Sequence, residues 1–322
     1  MPLCRFTTGE SETPRVGLLS GDDVRDLGSV ADLASIDRIL TTPLAELRAA
    51  LDALDHRPLA IYRRDDCTLL APIESQEVWA CGVTYERSRD ARMHESTQRD
   101  VYDRVYDAAR PEIFFKATPS RVVGPGAEIV VRADSNWDVP EPELAVVLND
   151  ALEVVGYTVG NDVSSRQIEG ENPLYLPQAK VYAACCALGP AIVPAWEVPD
   201  PAGLAIRLEI ERGGQTAFSG ETSTARLHRT VEELVAYLGR DNLFPAGAVL
   251  LTGTGIVPPD DFTLEGGDTV RITIDGLGTL ENPVRRGAKG EGRGARGEGQ
   301  DPSLRTRHSG LRTQDSGTME RG

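Results

Sequence analysis

The sequence predicts an α+β chain. A small N-terminal α+β unit spans residues 1–72, and a larger strand-rich unit built on a mixed or rolled sheet spans 73–285. Three observations lead there. After residue 73, short apolar runs bounded by Gly, Asn and Asp turns outnumber helical patterns. Near the N-terminus, apolar residues recur at helical spacing between two strand-like segments. From residue 286 to 322 the composition changes altogether, to Gly, Arg and Ser with few apolar side chains.

Taken in order, "PRVGLLSGDDVRDLG" alternates and turns at Gly-Asp, as short strands do. "VADLASIDRILTTPLAELRAALDAL" has a helical period broken at Pro43, and "CTLLAPI" is a short strand. In the larger unit "VWACGVTY" reads as a buried strand. "ERSRDARMHESTQRDVYDRVYDAA" reads as a polar, charged helix. "EIFFKAT", "EIVVRA", "ELAVVLN", "EVVGYTVGNDV", "LAIRLEIERGG", "AVLLTGTG" and "TVRITIDGLGTL" read as strands, and "TVEELVAYLGR" as a helix among them. The tail 286–322 reads as disordered. It carries 8 basic and 5 acidic residues but no aromatic side chain for stacking, which argues against RNA binding.

The 322 residues are 40 % apolar, enough for one large or two smaller cores. The net charge of −16 argues against nucleic acid or an anionic membrane as partner. No apolar run is long enough to span a bilayer, and "MPLCRFTTGESETPR" has no apolar signal region. Five cysteines without a CxxC point to reduced thiols and a cytoplasmic protein; Cys185 and Cys186 are expected to be small buried apolar residues. Of the 34 basic residues only three are lysine: Lys116, Lys180 and Lys289. In a chain that otherwise uses arginine, a lysine stands out because it can lose its proton. Lys116 and Lys180 are therefore candidates for acid–base work.

The segment "WDVPEPELAVVLND" opens an apolar strand on Glu141-Pro142-Glu143. Residues i and i+2 of a strand share a face, about 7 Å apart along the backbone. Two carboxylates held there repel unless a proton, an arginine or a cation intervenes. A hairpin turning at "NDALE" brings the next strand, ending in Asp162, back beside them. Three converging carboxylates without histidine or thiolate suit a hard cation, Mg²⁺, Mn²⁺ or Ca²⁺. The alternative is a solvated strand edge with Asp162 as a turn residue.

"VPEPELAVVL", "GYTVGNDVSSRQ", "LPQAK" and "LLTGTG", in that order over residues 75–284, resemble the fumarylacetoacetate hydrolase family. The resemblance implies a mixed β-roll holding a divalent metal, usually Mg²⁺, on Glu141, Glu143 and Asp162. It also implies a site lysine at Lys180, a substrate-contacting Thr254, and the homo-oligomers, often dimers, that are common in the family. The hydrolases carry a histidine where this chain has Ser88. His94 is expected at the surface and His228 in a structural role, so a water activator is missing. "VWACGVTYERSRDAR", "VYDRVYDAARPEIFFKATPSR" and "ENPLYLPQAKVYAACCALGP" resemble the family's dehydratase branch, which acts on 2-keto-3-deoxy-D-arabinonate-like sugar acids. That resemblance adds Glu112 and Lys116 to Lys180 as catalytic candidates.

The implied chemistry is elimination from a small 2-oxo acid. A metal chelated by carboxylate and keto oxygens acidifies C3, an enolate forms, the C4 hydroxyl leaves, and for a five-carbon acid tautomerisation then gives 2,5-dioxopentanoate. One of Lys180 and Glu112 is the base and the other supplies the proton; Lys116 binds the substrate carboxylate or tunes Glu112. Arg87, Arg89 and Arg92 form a cluster that clamps substrate from a lid helix or else a solvated face, and Ser88 offers a hydroxyl. Glu169 and Glu171 are expected on a loop surface. The competing readings are a C–C bond hydrolase of an acylpyruvate-like 1,3-dicarbonyl, a 2-oxo acid decarboxylase, and a non-catalytic metal- or ligand-binding protein.

Overall fold

Alternating apolar residues make the N-terminal segment a set of antiparallel strands, β1 (Leu3–Thr8), β2 (Ser11–Ser20) and β3 (Asp23–Asp26). Two short helices follow, α1 (Ile36–Leu40) and α2 (Leu44–Asp52). Ser35 caps α1 by accepting from Arg38 N, and Pro43 stands before the first residue of α2. Strands β4 (Ile61–Arg63) and β5 (Cys67–Leu70) return to β3 and β1. This is a computed structural model that describes residues 1–95 and 104–288. The expected disorder of the tail beyond residue 288, with Lys289, lies outside the described residues. So does the middle of the charged helix expected after Tyr85.

The larger part begins with β6 (Glu77–Gly82), helix α3 (Glu86–Glu95) and β7 (Glu112–Ala117). Val83 sits at φ 53°, an uncommon left-handed conformation for a β-branched residue, and turns the chain from β6 toward α3. Then come β8 (Val122–Val123), β9 (Ile129–Val131), β10 (Asp138–Val139), β11 (Pro142–Leu148), β12 (Val154–Asp162) and β13 (Ser164–Ser165). Helices α4 (Arg166–Glu171) and α5 (Leu176–Lys180) lead into β14 (Cys186–Pro194). The chain closes with β15 (Ala205–Arg212), β16 (Gln215–Ser223), helix α6 (Val231–Leu238), β17 (Ala248–Leu251), β18 (Thr269–Ile274) and β19 (Gly278–Arg286).

A twelve-stranded sheet runs in the order β4-β3-β2-β1-β14-β12-β11-β17-β6-β7, with β5 on β1 and β8 on β14. It is mixed: β17 with β6 and β14 with β8 are parallel, whereas the β11 and β12 pairings are antiparallel. A second sheet, β16-β15-β18-β19-β9, packs on one face of it. β1 hydrogen-bonds to β14, so the N-terminal strands continue the large sheet, and Met1–Ala288 is one compact unit.

Strand β11 lies between the two cores, which is why "ELAVVL" is apolar throughout. Leu144, Val146 and Leu148 face Ile206, Leu208, Ile272 and Ile274 of the second sheet. Ala145 and Val147 face the core formed with Ile36, Ile39, Leu40 and Leu47 of the N-terminal helices. Glu143 has the same parity as Ala145 and Val147 and stands near the start of the strand, beyond the apolar part of that face. Among the described residues no helix is long and apolar enough to cross a membrane.

Candidate metal centre and active site

The β11–β12 hairpin places the acidic trio. Its turn is set by Asn149, whose Oδ1 accepts from Ala151 N at 3.1 Å and Glu153 N at 2.7 Å. The register then puts Pro142 opposite Asn161 and Glu143 opposite Gly160, with Asp162 N donating to the Glu141 carbonyl at 2.9 Å. One carboxylate oxygen from each of Glu141, Glu143 and Asp162 lies within 4.8 Å of the others. The three residues are 4 %, 1 % and 1 % exposed. The "TGTG" segment closes over them: Gly253 N donates to Glu143 Oε2. Gly253 is at φ 94°, and a Cβ there would lie 2.0 Å from Thr84 Oγ1, so this approach requires glycine.

Cations surround the trio. Lys180, at the end of α5, donates to Glu141 Oε2 at 2.6 Å, Asp162 Oδ2 at 3.1 Å and Ser164 Oγ at 2.6 Å. The Arg166 guanidinium, from α4, lies 3.4 Å from Glu141 Oε1. Lys116 is fully buried behind Asp162, 2.5 Å from its Oδ1, and donates to the carbonyls of Val163 and Lys180. Burial pulls the Lys116 pKa down, but the Asp162 charge, with smaller help from Cys185, more than offsets this and the net shift is upward.

Glu143 is the least compensated of the three. Burial, then the charges of Asp162 and Glu141, push its pKa well above the carboxylate range. Such a group calls for a proton or a cation. The Cys81 thiol beside it is also pushed well up, by burial and then by Glu143, so it offers no thiolate. Three convergent buried oxygens without soft donors fit a hard divalent cation.

One cavity adjoins the trio. Its lining includes Ser88, Glu112, Glu141, Glu169, Lys180 and Thr254. Glu112 faces Gly82 across the β6–β7 pair, so closely that a Cβ on Gly82 would lie 2.1 Å from Glu112 Oε2. Ser88 Oγ donates to the Tyr85 carbonyl at 2.7 Å, and Thr254 Oγ1 bonds Ile256 within its own turn. The cavity therefore joins Lys180, Glu112, Ser88 and Thr254 to Glu141 of the trio.

Three candidates stand elsewhere. Lys116 does not line the cavity; it is fully buried and meets Asp162 from the far side. Arg87 is exposed and lines an outer groove with Asp260 and Asp261. Arg89 pairs with Glu86 and Asp90 and lies over the Tyr106 ring. Successive helical residues point about 100° apart, so with Ser88 turned inward both neighbours turn away. The side chains of Arg92 and His94 lie outside the described residues.

Two residues escaped the sequence reading. Glu169, expected on a loop surface, is buried in the cavity wall, while Glu171 is exposed as expected. Arg166 was not singled out at all. The available signal was Ser165, whose Oγ caps α4 by accepting from Ile168 N, followed by Arg166 and Glu169 at i, i+3 spacing. Cys185 and Cys186 are fully buried, and the His228 ring stacks on Tyr106 away from the trio.

Comparison with known proteins gives a consistent answer. Residues 78–285 match the family model described as fumarylacetoacetate (FAA) hydrolase C-terminal. The chain is 50 % identical over 282 residues to a probable 2-keto-3-deoxyxylonate dehydratase of Haloferax volcanii, covering 87 % of this chain and 95 % of that protein. It is 48 % identical over 235 residues to the 2-dehydro-3-deoxy-D-arabinonate dehydratase of Saccharolobus solfataricus, covering 72 % and 79 %. A solved 2-keto-3-deoxy-D-arabinonate dehydratase, complexed with magnesium and 2,5-dioxopentanoate, superposes with a TM-score of 0.74 at 38 % identity, covering 90 % of this chain and 100 % of that one. With the β-roll, the carboxylate trio and these matches together, the chain belongs to the fumarylacetoacetate hydrolase family.

Proposed function

We propose that the chain is a hydro-lyase that removes water from a 2-keto-3-deoxy sugar acid with Mg²⁺, giving 2,5-dioxopentanoate from a five-carbon substrate. The observation that carries this reading is a buried carboxylate trio bridged by Lys180, which meets, at Glu141, a cavity that Lys180 and a further glutamate, Glu112, also line. Two relatives near half identity that are named as dehydratases support it, as does a relative structure holding magnesium and that dioxo acid.

Glu141, Glu143 and Asp162 would hold the cation; Mn²⁺ and Ca²⁺ suit the same oxygen set. When bound, the cation supplies Lewis-acid chemistry, polarising the keto group of a 2-oxo carboxylate so that its C3 protons become acidic. The residues of the chain handle the protons. One of Lys180 and Glu112 takes the C3 proton, and the other returns a proton to the C4 hydroxyl as its C–O bond breaks and water leaves. The resulting 5-hydroxy-2-oxo-3-enoate then tautomerises to the 2,5-dioxo acid, C5 and its hydroxyl each losing a proton and C3 and C4 each gaining one. Lys180 suits this exchange because a lysine can release a proton and because Ser164 and two carboxylates hold its Nζ in place. Ser88 and Thr254 present hydroxyls to the substrate, and Lys116 is a positioning residue acting through Asp162. No described histidine side chain lines the cavity, which disfavours hydrolysis by an activated water. Assembly as a dimer or larger homo-oligomer rests on the family resemblance. A cytoplasmic location rests on five free, buried cysteines.

The test is direct. Purified protein with Mg²⁺ and 2-keto-3-deoxy-pentonate should yield an aldehyde detectable by mass, and a chelator should stop it. Absence of turnover on both five- and six-carbon 2-keto-3-deoxy acids would sink the reading.

A further inference from the structure

Glu169 lines the cavity with Glu112, Lys180 and Ser88 but stands outside the carboxylate trio. It is 4 % exposed. On α4 it follows Arg166 by three residues, so both project from one side of the helix. Arg166 meets Glu141, and Glu169 meets the cavity. The helix is capped by Ser165 and packs against α3, which carries Ser88.

A buried carboxylate selects the ligand group that faces it. It repels an anionic group and welcomes hydroxyl donors, because an ionised carboxylate only accepts hydrogen bonds. A 2-oxo acid therefore turns its charged end to the cation side, toward Glu141, Glu143 and Asp162. The uncharged, hydroxylated end remains for Glu169. Glu112 and Lys180 are already assigned to the C3 proton and the C4 hydroxyl, and the hydroxyl beyond them is the terminal one.

We infer that Glu169 is a specificity-determining residue that accepts a hydrogen bond from the terminal hydroxyl of the sugar acid. The assignment rests on the dehydratase reading above and deepens it. It explains why a cavity for an anion carries a carboxylate outside the trio: the group reads the polyol tail and disfavours a second acidic group there.

The experiment uses two inert ligands, 5-hydroxy-2-oxopentanoate and 2-oxopentanoate. Neither has a C4 hydroxyl to lose, and they differ only at the terminal hydroxyl. Calorimetric titration of the full chain with Mg²⁺ should show a preference for the hydroxylated ligand of roughly 10-fold or more, as for a hydrogen bond to a charged group. Glu169→Ala should abolish the preference. The isosteric Glu169→Gln should cut it to about threefold or less, and Mg²⁺ affinity should be unchanged in both variants. Retention of the full preference in either variant, or its absence in the unaltered chain, overturns the inference. Turnover of 2-keto-3-deoxy-pentonate, measured in parallel, reports separately on the dehydratase reading, because the binding preference does not depend on catalysis.

Discussion

Gly82→Ala tests whether the position of Glu112 matters to the chemistry. The two residues are cross-strand neighbours on β6 and β7. A Cβ at position 82 would lie 2.1 Å from Glu112 Oε2 and 2.6 Å from its Cδ, whereas ordinary contact begins near 3.4 Å. The carboxyl must therefore retreat by about 1.3 Å, the difference between 3.4 and 2.1 Å. Displacing a reacting group by about 1 Å can cost on the order of 100-fold in rate, or about 2.7 kcal/mol of barrier. The fold itself should tolerate the change. The group displaced is the far end of a flexible side chain, and the φ of Gly82 is outside the left-handed region. Replacing Gly by Ala at a compatible site stabilises by about 0.4–1 kcal/mol through the unfolded state. The expected result is kcat down roughly 100-fold, with the thermal midpoint and Mg²⁺ affinity held or slightly raised. Combined with Glu112→Gln, the change should add little further loss, since both act on one group. A Gly82→Ala enzyme within about threefold of full activity would refute the role given to Glu112.

Three further predictions follow from the same geometry. Lys116→Met leaves Asp162 buried without its rear cation; unfolding in urea with chelator present should show a loss of about 3–5 kcal/mol, partly restored by Mg²⁺. A loss below about 1 kcal/mol would contradict the positioning role. Glu143→Gln should act in opposite directions on stability and function. It removes the burial penalty, and with it the repulsion from Asp162 and Glu141, that push Glu143 upward, so the metal-free protein should melt higher. It should also lose the Mg²⁺-induced stabilisation, about 2.7 kcal/mol at 100 times Kd, and the activity with it. Asp138 is fully buried, and burial, partly offset by Ser135 and Arg286, raises its pKa from the ordinary carboxylate range to about 6. The folded state thus holds this proton more tightly than the unfolded one. The penalty is nearly absent below about pH 4, grows between about pH 4 and 6, and levels off near about 3 kcal/mol by pH 7. Asp138→Asn should therefore raise the thermal midpoint at pH 7 and do little at pH 4, and equal effects at both would count against the assignment.

Much of the carboxylate trio was legible in the amino-acid sequence because its determinants are local. Alternation along a strand puts Glu141 and Glu143 on one side, and the short turn at Asn149 brings Asp162 back beside them. The scarcity of lysine drew attention to Lys116 and Lys180, and both side chains reach Asp162. Tertiary packing decided the rest. Spacing within "PEIFFK" cannot tell whether a buried lysine fronts the substrate or backs a ligand; the approach of β7 to the Val163 and Lys180 carbonyls placed Lys116 behind Asp162. A helix as short as α4 has too few residues for a readable apolar face, so only its packing against α3 turned Glu169 inward. The same holds for α3, where the docking of Ser88 into the cavity carried Arg87 and Arg89 out of it. Local periodicity determines which residues share a face. Which face is buried, and against what, depends on contacts between segments far apart in the chain.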